Sequence, residues 1–208
     1  MYIWTKTLNK PLINIMNTRA IFGTIATLSL LATSRAADTY NIDPLHSSVG
    51  FSVQHMVINK VRGKFGQFAG SVVVDGKAIQ SAKGTIQTGS IDTGISKRDN
   101  HLKSPDFFDA TKYPTITFVS KRVESKGSDT VLVGDYTMHG VTKELSLPVT
   151  LSGPIKDNWG GDRIGLEAKT KLNRRDYGLT YNQALETGGL VVGDEIEIEI
   201  NAEAVKAK

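Results

Sequence analysis

The chain is 208 residues long, has no cysteine, and carries 25 Lys and Arg against 21 Asp and Glu. Without cysteine there is no disulfide framework, no thiol nucleophile, no c-type haem attachment and no lipoprotein acylation site. Four of the basic residues, Lys6, Lys10, Arg19 and Arg35, fall in the first 36 positions, which hold no acid. The rest of the chain therefore balances at 21 against 21, leaving no basic footprint for nucleic acid and no charge to steer it to an anionic membrane.

Those first 36 residues read as a secretory signal peptide. The basic n-region is followed by an uncharged, mostly apolar run from Ala20 to Thr33, 14 residues long. That is short of the ~20 apolar residues a membrane-spanning helix needs, so the segment predicts export rather than a stable membrane anchor. Ser34 and Ala36 suit the −3 and −1 positions and place the cut before Ala37. Translation starts at Met1 or at Met16, which opens a tidier n-region (MNTRA). What remains, residues 37–208, is enough for one well-buried periplasmic domain.

From Thr39 the pattern is period-two alternation broken by Gly, Asn, Asp and Pro, which predicts strands joined by turns. Val49, Phe51 and Val53 alternate with Gly50, Ser52 and Gln54, and His55 continues their parity at a strand end. Phe68, Gly70, Val72 and Val74 form the next inward row.

The stretch RDNHLKSPDFFDATKYPTITF (98–118) is different. Ser96 with Asp99 resembles a capping box, and Ser104-Pro105-Asp106 is a second helix start: a capping hydroxyl, a proline whose φ is already helical, and an acid near the positive end of the dipole. Pro114 biases Tyr113 to extended geometry. The spacing predicts two short helices over one end of the strands, with Phe107 and Phe108 as plugs or gates.

Beyond it, Ile116 and Phe118 alternate with Thr115 and Thr117, and Val141, Leu145, Leu147, Val149 and Leu151 share one parity. Ile164, Leu166, Ala168, Thr170 and Leu172 oppose Glu167, Lys169 and Lys171. Ile196, Ile198, Ile200 and Ala202 oppose Glu195, Glu197, Glu199 and Asn201. The glutamate run EIEIEI reads as the wet face of a strand whose other face is dry. About eight such strands allow either a sandwich or a closed barrel.

Chemistry-bearing residues are sparse. His46, His55, His101 and His139 form no HxH or HExxH pair, so no metal site is predicted. No serine stands in GxSxG. Arg98-Asp99 and Arg174-Arg175-Asp176 place opposite charges side by side, which fits mutual pairing at element ends or a polar rim for a ligand's head group. His101 fits a capping or packing role better than that of a general base.

Four segments, YNIDPLHSSVGFSVQHM (40–56), RDNHLKSPDFFDATKYPTITF (98–118), MHGVTKELSLPVTL (138–151) and NRRDYGL (173–179), resemble the YceI-like family of exported polyisoprenoid-binding proteins, in order and across nearly all of the chain after the leader. The resemblance implies an all-β, lipocalin-like antiparallel barrel of about eight strands with a short helical insert near 96–112. It implies a hydrophobic channel for a polyisoprenoid or similar long-chain lipid, including quinone side chains, commonly in a homodimer. It implies no enzymatic activity and no cofactor. Carried onto this chain, the lining would be Phe51, Val53, Phe68, Val72, Ile116, Phe118, Met138, Ile164, Leu166 and Tyr177. Phe107 and Phe108 would cover it. The family's signature polar positions correspond to His46, Arg98, Asp99, His101 and Arg175, with Arg98, His101 and Arg175 as candidate head-group contacts and Tyr181 and Asn182 near the mouth.

Two function classes follow. A lipid carrier needs an interior apolar along its whole length, whereas an enzyme acting on such a lipid needs an acid or base on the inward parity, where the sequence shows none. A stress-protective periplasmic protein with an adventitious lipid would share the carrier's sequence features.

Overall fold

A computed structural model describes residues 1–2, 36–56, 58–126, 129–183 and 191–208. The chain divides into two units, residues 1–34 and 35–208, and the fold below is that of the second. The apolar run Ala20–Thr33 and Met16 lie outside the described residues.

Ten strands and one helix follow in chain order: β1 (Asp38–His55), β2 (Asn59–Phe65), β3 (Phe68–Asp75), β4 (Ala78–Gln87), β5 (Ile91–Asp92), α1 (Ser96–Lys103), β6 (Thr115–Lys126), β7 (Asp129–Met138), β8 (Val141–Lys156), β9 (Asp162–Asn173) and β10 (Val192–Lys206). Eight of the strands pair antiparallel in the ring β1-β3-β4-β6-β7-β8-β9-β10, and β10 returns to β1. That last pairing, Tyr40 opposite Lys206 through His55 opposite Val192, decides barrel over sandwich. Closure leaves the ring without an open edge.

One edge of β1 is shared. Its first residues, Asp38 to Asn41, pair with β3, and Val49 to His55 pair with β2, which carries β5 on its far side. The change of partner coincides with an irregularity between Asp43 and Ser48, where Pro44 has no N–H to give a ladder. A second bulge falls in β6 between Ser120 and Arg122, opposite Gly134, where an added Cβ would run into the Val119 carbonyl.

Alternation has the predicted result. On β9, Ile164, Leu166, Ala168 and Leu172 are buried while Glu167, Lys169 and Lys171 are exposed. The glutamate run of β10 faces the lysines across the ladder, with Lys171–Glu195 at 2.8 Å and Lys169–Glu199 at 3.6 Å. Exposed pairs of this kind contribute little each, about 0–1 kcal/mol.

The segment before β6 departs from the expectation of two helices. Only α1 is helical. Residues 104–113 form successive turns, held by Phe107 N–H to the Ser104 carbonyl, Phe108 N–H to that of Leu102 and Ala110 N–H to that of Lys103. Ser96 is no cap either: Ile95 takes that position without a side-chain bond. Asp99 instead accepts from the Thr93 amide at 2.9 Å and the Thr93 hydroxyl at 2.5 Å, and Arg98 donates to the Thr93 hydroxyl and carbonyl. Each residue of the expected Arg98-Asp99 pair thus ties the helix back to Thr93, just after β5, rather than to its neighbour. At the other end of the insert, buried Thr88 donates its hydroxyl to the Tyr113 carbonyl and its amide to that of Pro114.

Two apolar clusters fill the ends of the barrel. The one under the insert contains Val49, Phe65, Ile91, Ile116, Tyr136, Met138, Leu172, Tyr177 and Leu179. The one at the base contains Tyr40, Val72, Val74, Ile79, Leu132, Ile164, Leu166 and Ala204, among others. Phe118 and Ile200 pack against both and mark the waist. Among the described residues no helix is long and apolar enough to cross a membrane.

Candidate functional site

Between the two clusters lies a cavity of about 230 Å³. Its wall is built from the inward parity of nearly every barrel strand. Many of these inward residues are only half-buried: Phe51, Val53, Phe68, Ile86, Phe118, Leu145, Ile196, Ile198 and Ile200. An inward side chain that keeps part of its surface uncovered faces a void, because a solid core would close on it at crystal-like density. On β10 the wall runs from Val192 to Ala202. Ten residue steps are about 33 Å of strand, or about 25 Å along the axis at the usual barrel tilt. Half of a bilayer's hydrocarbon core is about 15 Å, so the cavity is long for an ordinary acyl tail.

The wall is apolar along that length. Among the described residues it carries no His, Asp, Glu, Ser, Asn or Gln. Gly70 and Gly84 face each other across β3 and β4 on the inward parity and thin the wall at its waist. Leu102, Phe107 and Phe108 of the insert close one end, Phe108 packing edge-on against Phe65 at 6.1 Å.

Of the residues expected to line a channel, Phe51, Val53, Phe68, Val72, Phe107, Phe108, Ile116, Phe118, Met138 and Leu166 lie on this wall. Ile164 and Tyr177 do not. Ile164 is 1 % exposed within the base cluster, and Tyr177 is 3 % exposed, edge-on to Tyr136 at 5.4 Å. Parity gives a side chain's face of the sheet, but what stands opposite it depends on the other strands.

The expected polar contacts lie off the wall. Arg98 is committed to Thr93, as described. His101 is exposed, 2.8 Å from Asp106 through Nε2, and packs against Phe107 and Tyr181 with ring centroids 5.1 and 5.0 Å away. Arg175 is exposed and pairs with Asp194 at 2.8 Å, while Asp176 sits 3.6 Å from Lys143. His46 lies at the base end, hydrogen-bonded to Asp43. Asn182 donates to the Val192 carbonyl and accepts from the Val192 amide.

The buried cation on the wall is Arg174, the neighbour of the expected Arg175. Arg174 is 2 % exposed and donates to the carbonyls of Gly193, Leu179, Tyr181 and Val192 and to the Asp194 carboxylate. A guanidinium has five N–H donors, and all five are used. Burial lowers its pKa, partly offset by Asp194. It staples the segment after β9 to the start of β10. The short 3-10 turn Arg174–Tyr177, ending in left-handed Gly178, turns Arg174 inward and Arg175 out. Tyr136 is another polar wall residue that sequence reasoning passed over, although it shares the inward parity of Leu132 and Met138.

At the base, Asp43, His46 and Glu203 bring ligand atoms within 4.8 Å of one another. Arg163 Nη1 donates to both carboxylates, so a guanidinium holds the position a metal cation would take. Its Nε donates to Asp157 at 2.7 Å; Asp157, Glu203 and Asp43 raise the Arg163 pKa, while Arg163 lowers that of Asp157, and His46, with Arg163, lowers that of Asp43.

The description of the YceI-like domain matches residues 40–204. The chain belongs to the YceI-like family. A UPF0312 protein of Staphylococcus aureus is 39% identical over 169 residues, covering 79% of this chain and 95% of its own. Among solved structures, the YceI protein of Campylobacter jejuni is 30% identical with a TM-score of 0.64, over 74% of this chain and 90% of its own. BcnA of Burkholderia cenocepacia, 24% identical over 78% of this chain and 98% of its own, superposes with a TM-score of 0.68. A polyisoprenoid binding domain from Saccharophagus degradans, 15% identical over 81% and 98%, gives 0.62. The last two show the YceI-like fold in this chain.

Proposed function

We propose that this YceI-like protein is an exported lipid carrier that encloses the chain of a polyisoprenoid or similar long-chain lipid inside its barrel. The observation that carries the reading is the row of inward yet incompletely covered apolar side chains from Val192 to Ala202 and across to Phe118. Covering apolar surface is worth roughly 25 cal/mol per Å², so such a wall gains free energy from a hydrocarbon guest that an already packed core would not. The Saccharophagus neighbour, a polyisoprenoid binding domain, supports the class of guest. An enzyme acting on the same lipid would need an acid or base poised beside the chain, and the described wall carries no His, Asp or Glu. Export rests on the leader residues 1–36, and an intact mass beginning at Ala37 in periplasmic material would support it.

The test is mass spectrometry of the organic extract of the purified protein. Wild type should carry about one long-chain lipid per barrel. Phe118→Asp should carry none, because an unpaired carboxylate beside hydrocarbon is costly. Thr150→Asp, on the exposed face of β8, should carry the same lipid as wild type. An empty wild-type barrel, or a loaded Phe118→Asp barrel, would overturn the reading.

A further inference from the structure

Tyr136 sits on the inward parity of β7 as the ladder partner of Phe118, and only 8 % of it is exposed. A buried phenol normally finds an oxygen acceptor. Here the hydroxyl donates to the thioether of Met138 at 3.7 Å, and sulfur is a weak acceptor. Both residues line the cavity. Burial raises the phenol's pKa, with the neighbouring Tyr177 adding to the shift, so it stays an O–H donor at neutral pH.

The charge of the wall bears on the same question. Among the described residues only Lys83 and Arg174 are cationic wall positions. Lys83 is exposed on the outward parity of β4, and Arg174 has every N–H committed. A phosphate drawn into the barrel would meet no free cation there and would lose its hydration without return. A neutral oxygen acceptor would instead gain the Tyr136 hydroxyl, whose partner in the wall is a thioether.

We infer that Tyr136 is a specificity-determining residue: the guest carries a neutral carbonyl-bearing head group, which accepts from the Tyr136 hydroxyl under the helical insert while the tail runs toward the base. This rests on the carrier reading above and adds to it the chemistry of the head group and the direction of entry of the tail.

The test uses delipidated protein and three probes with one C20 tail: phytane, phytyl acetate and phytyl phosphate, titrated by calorimetry. A hydrogen bond to a buried neutral group corresponds to about a fivefold change in affinity. Wild type should bind the acetate about fivefold more tightly than phytane, and more tightly than the phosphate. Tyr136→Phe should bring the acetate down to the level of phytane. Met138→Leu, a volume-conserving change that frees the hydroxyl, should tighten the acetate about twofold relative to phytane. The inference is overturned if wild type binds phytane and acetate alike, if the phosphate binds most tightly, or if Tyr136→Phe leaves the acetate preference in place. If wild type binds none of the three, the carrier reading fails and this inference falls with it.

Discussion

Gly84 of β4 and Phe118 of β6 are ladder partners on the inward face, and the missing side chain of the first leaves open the space beside the ring of the second. A Cβ at Gly84 would meet nothing nearer than the Ala69 carbonyl oxygen at 3.8 Å. Its cross-strand neighbour Gly70 is the opposite case: a Cβ there would come within 2.7 Å of the Lys83 carbonyl oxygen. Gly84→Phe should therefore fill the waist, cutting co-purified lipid at least tenfold without lowering the melting temperature. Gly70→Ala should destabilise by about 1–3 kcal/mol through backbone displacement. Extract mass spectrometry and thermal melts separate the two, and a Gly84→Phe protein that still carries lipid would count against the cavity as the binding site.

Truncating Phe118 tests the void directly. In a packed core a Phe→Ala change costs about 3–5 kcal/mol. Phe118 is half-buried, so in delipidated protein the cost should be about 1–2 kcal/mol by urea unfolding, a lower figure because part of the ring already faces empty space. In lipid-loaded protein the cost should rise, since the guest covers that ring. Equal costs in both states would mean that the guest does not touch Phe118.

Arg174 and Arg175 are adjacent and both reach Asp194, yet they should behave very differently. Arg174→Ala removes five hydrogen bonds, one to the buried Leu179 carbonyl and the others part-buried, so it should cost about 3 kcal/mol or more. Arg175→Ala removes one exposed pair and should change stability by less than about 1 kcal/mol. Chemical denaturation of the two variants gives the comparison, and similar losses would contradict the stapling role assigned to Arg174.

Acid should weaken the barrel over a defined window. Hydrogen bonds from Arg122 and then Lys121 hold Glu144 down to about 2 from an ordinary 4.5. Asp43 is lowered chiefly by His46, and Asp157 chiefly by Arg163. A carboxylate with a depressed folded pKa binds fewer protons folded than unfolded, so its contribution is present above the unfolded pKa and is lost as pH falls through the folded one. Urea midpoints should thus fall from about pH 4.5 toward pH 2, and Glu144→Gln should flatten part of that slope. At the other extreme, burial raises Tyr136 and Tyr177, so their contribution is complete below about pH 10 and declines above it. A midpoint independent of pH between 2 and 5 would remove the ion pairs from the account.

The amino-acid sequence by itself determined which face of each strand points inward, because side chains alternate with period two whatever the strand pairs with. Ile164 through Leu172 and Ile196 through Ala202 were legible for that reason, and the motif segments that carry the YceI-like resemblance were legible as strings. Where the chain leaves the regular ladder, local pattern lost its hold. Ser104-Pro105-Asp106 has the residues of a helix start, but the ten positions after α1 form turns. Arg174 and Arg175 are neighbours whose inside and outside places depend on one short turn ending at Gly178. Tertiary structure alone decided closure, since β1 meets β10 about 150 residues later in the chain. It also decided which inward residues face each other and which face a void. Ile164 and Phe118 have the same pattern in the sequence, and one is sealed in the base cluster while the other stands only partly covered at the waist. The difference lies in what the opposite wall supplies at that height, and a residue's own parity carries no information about its opposite wall.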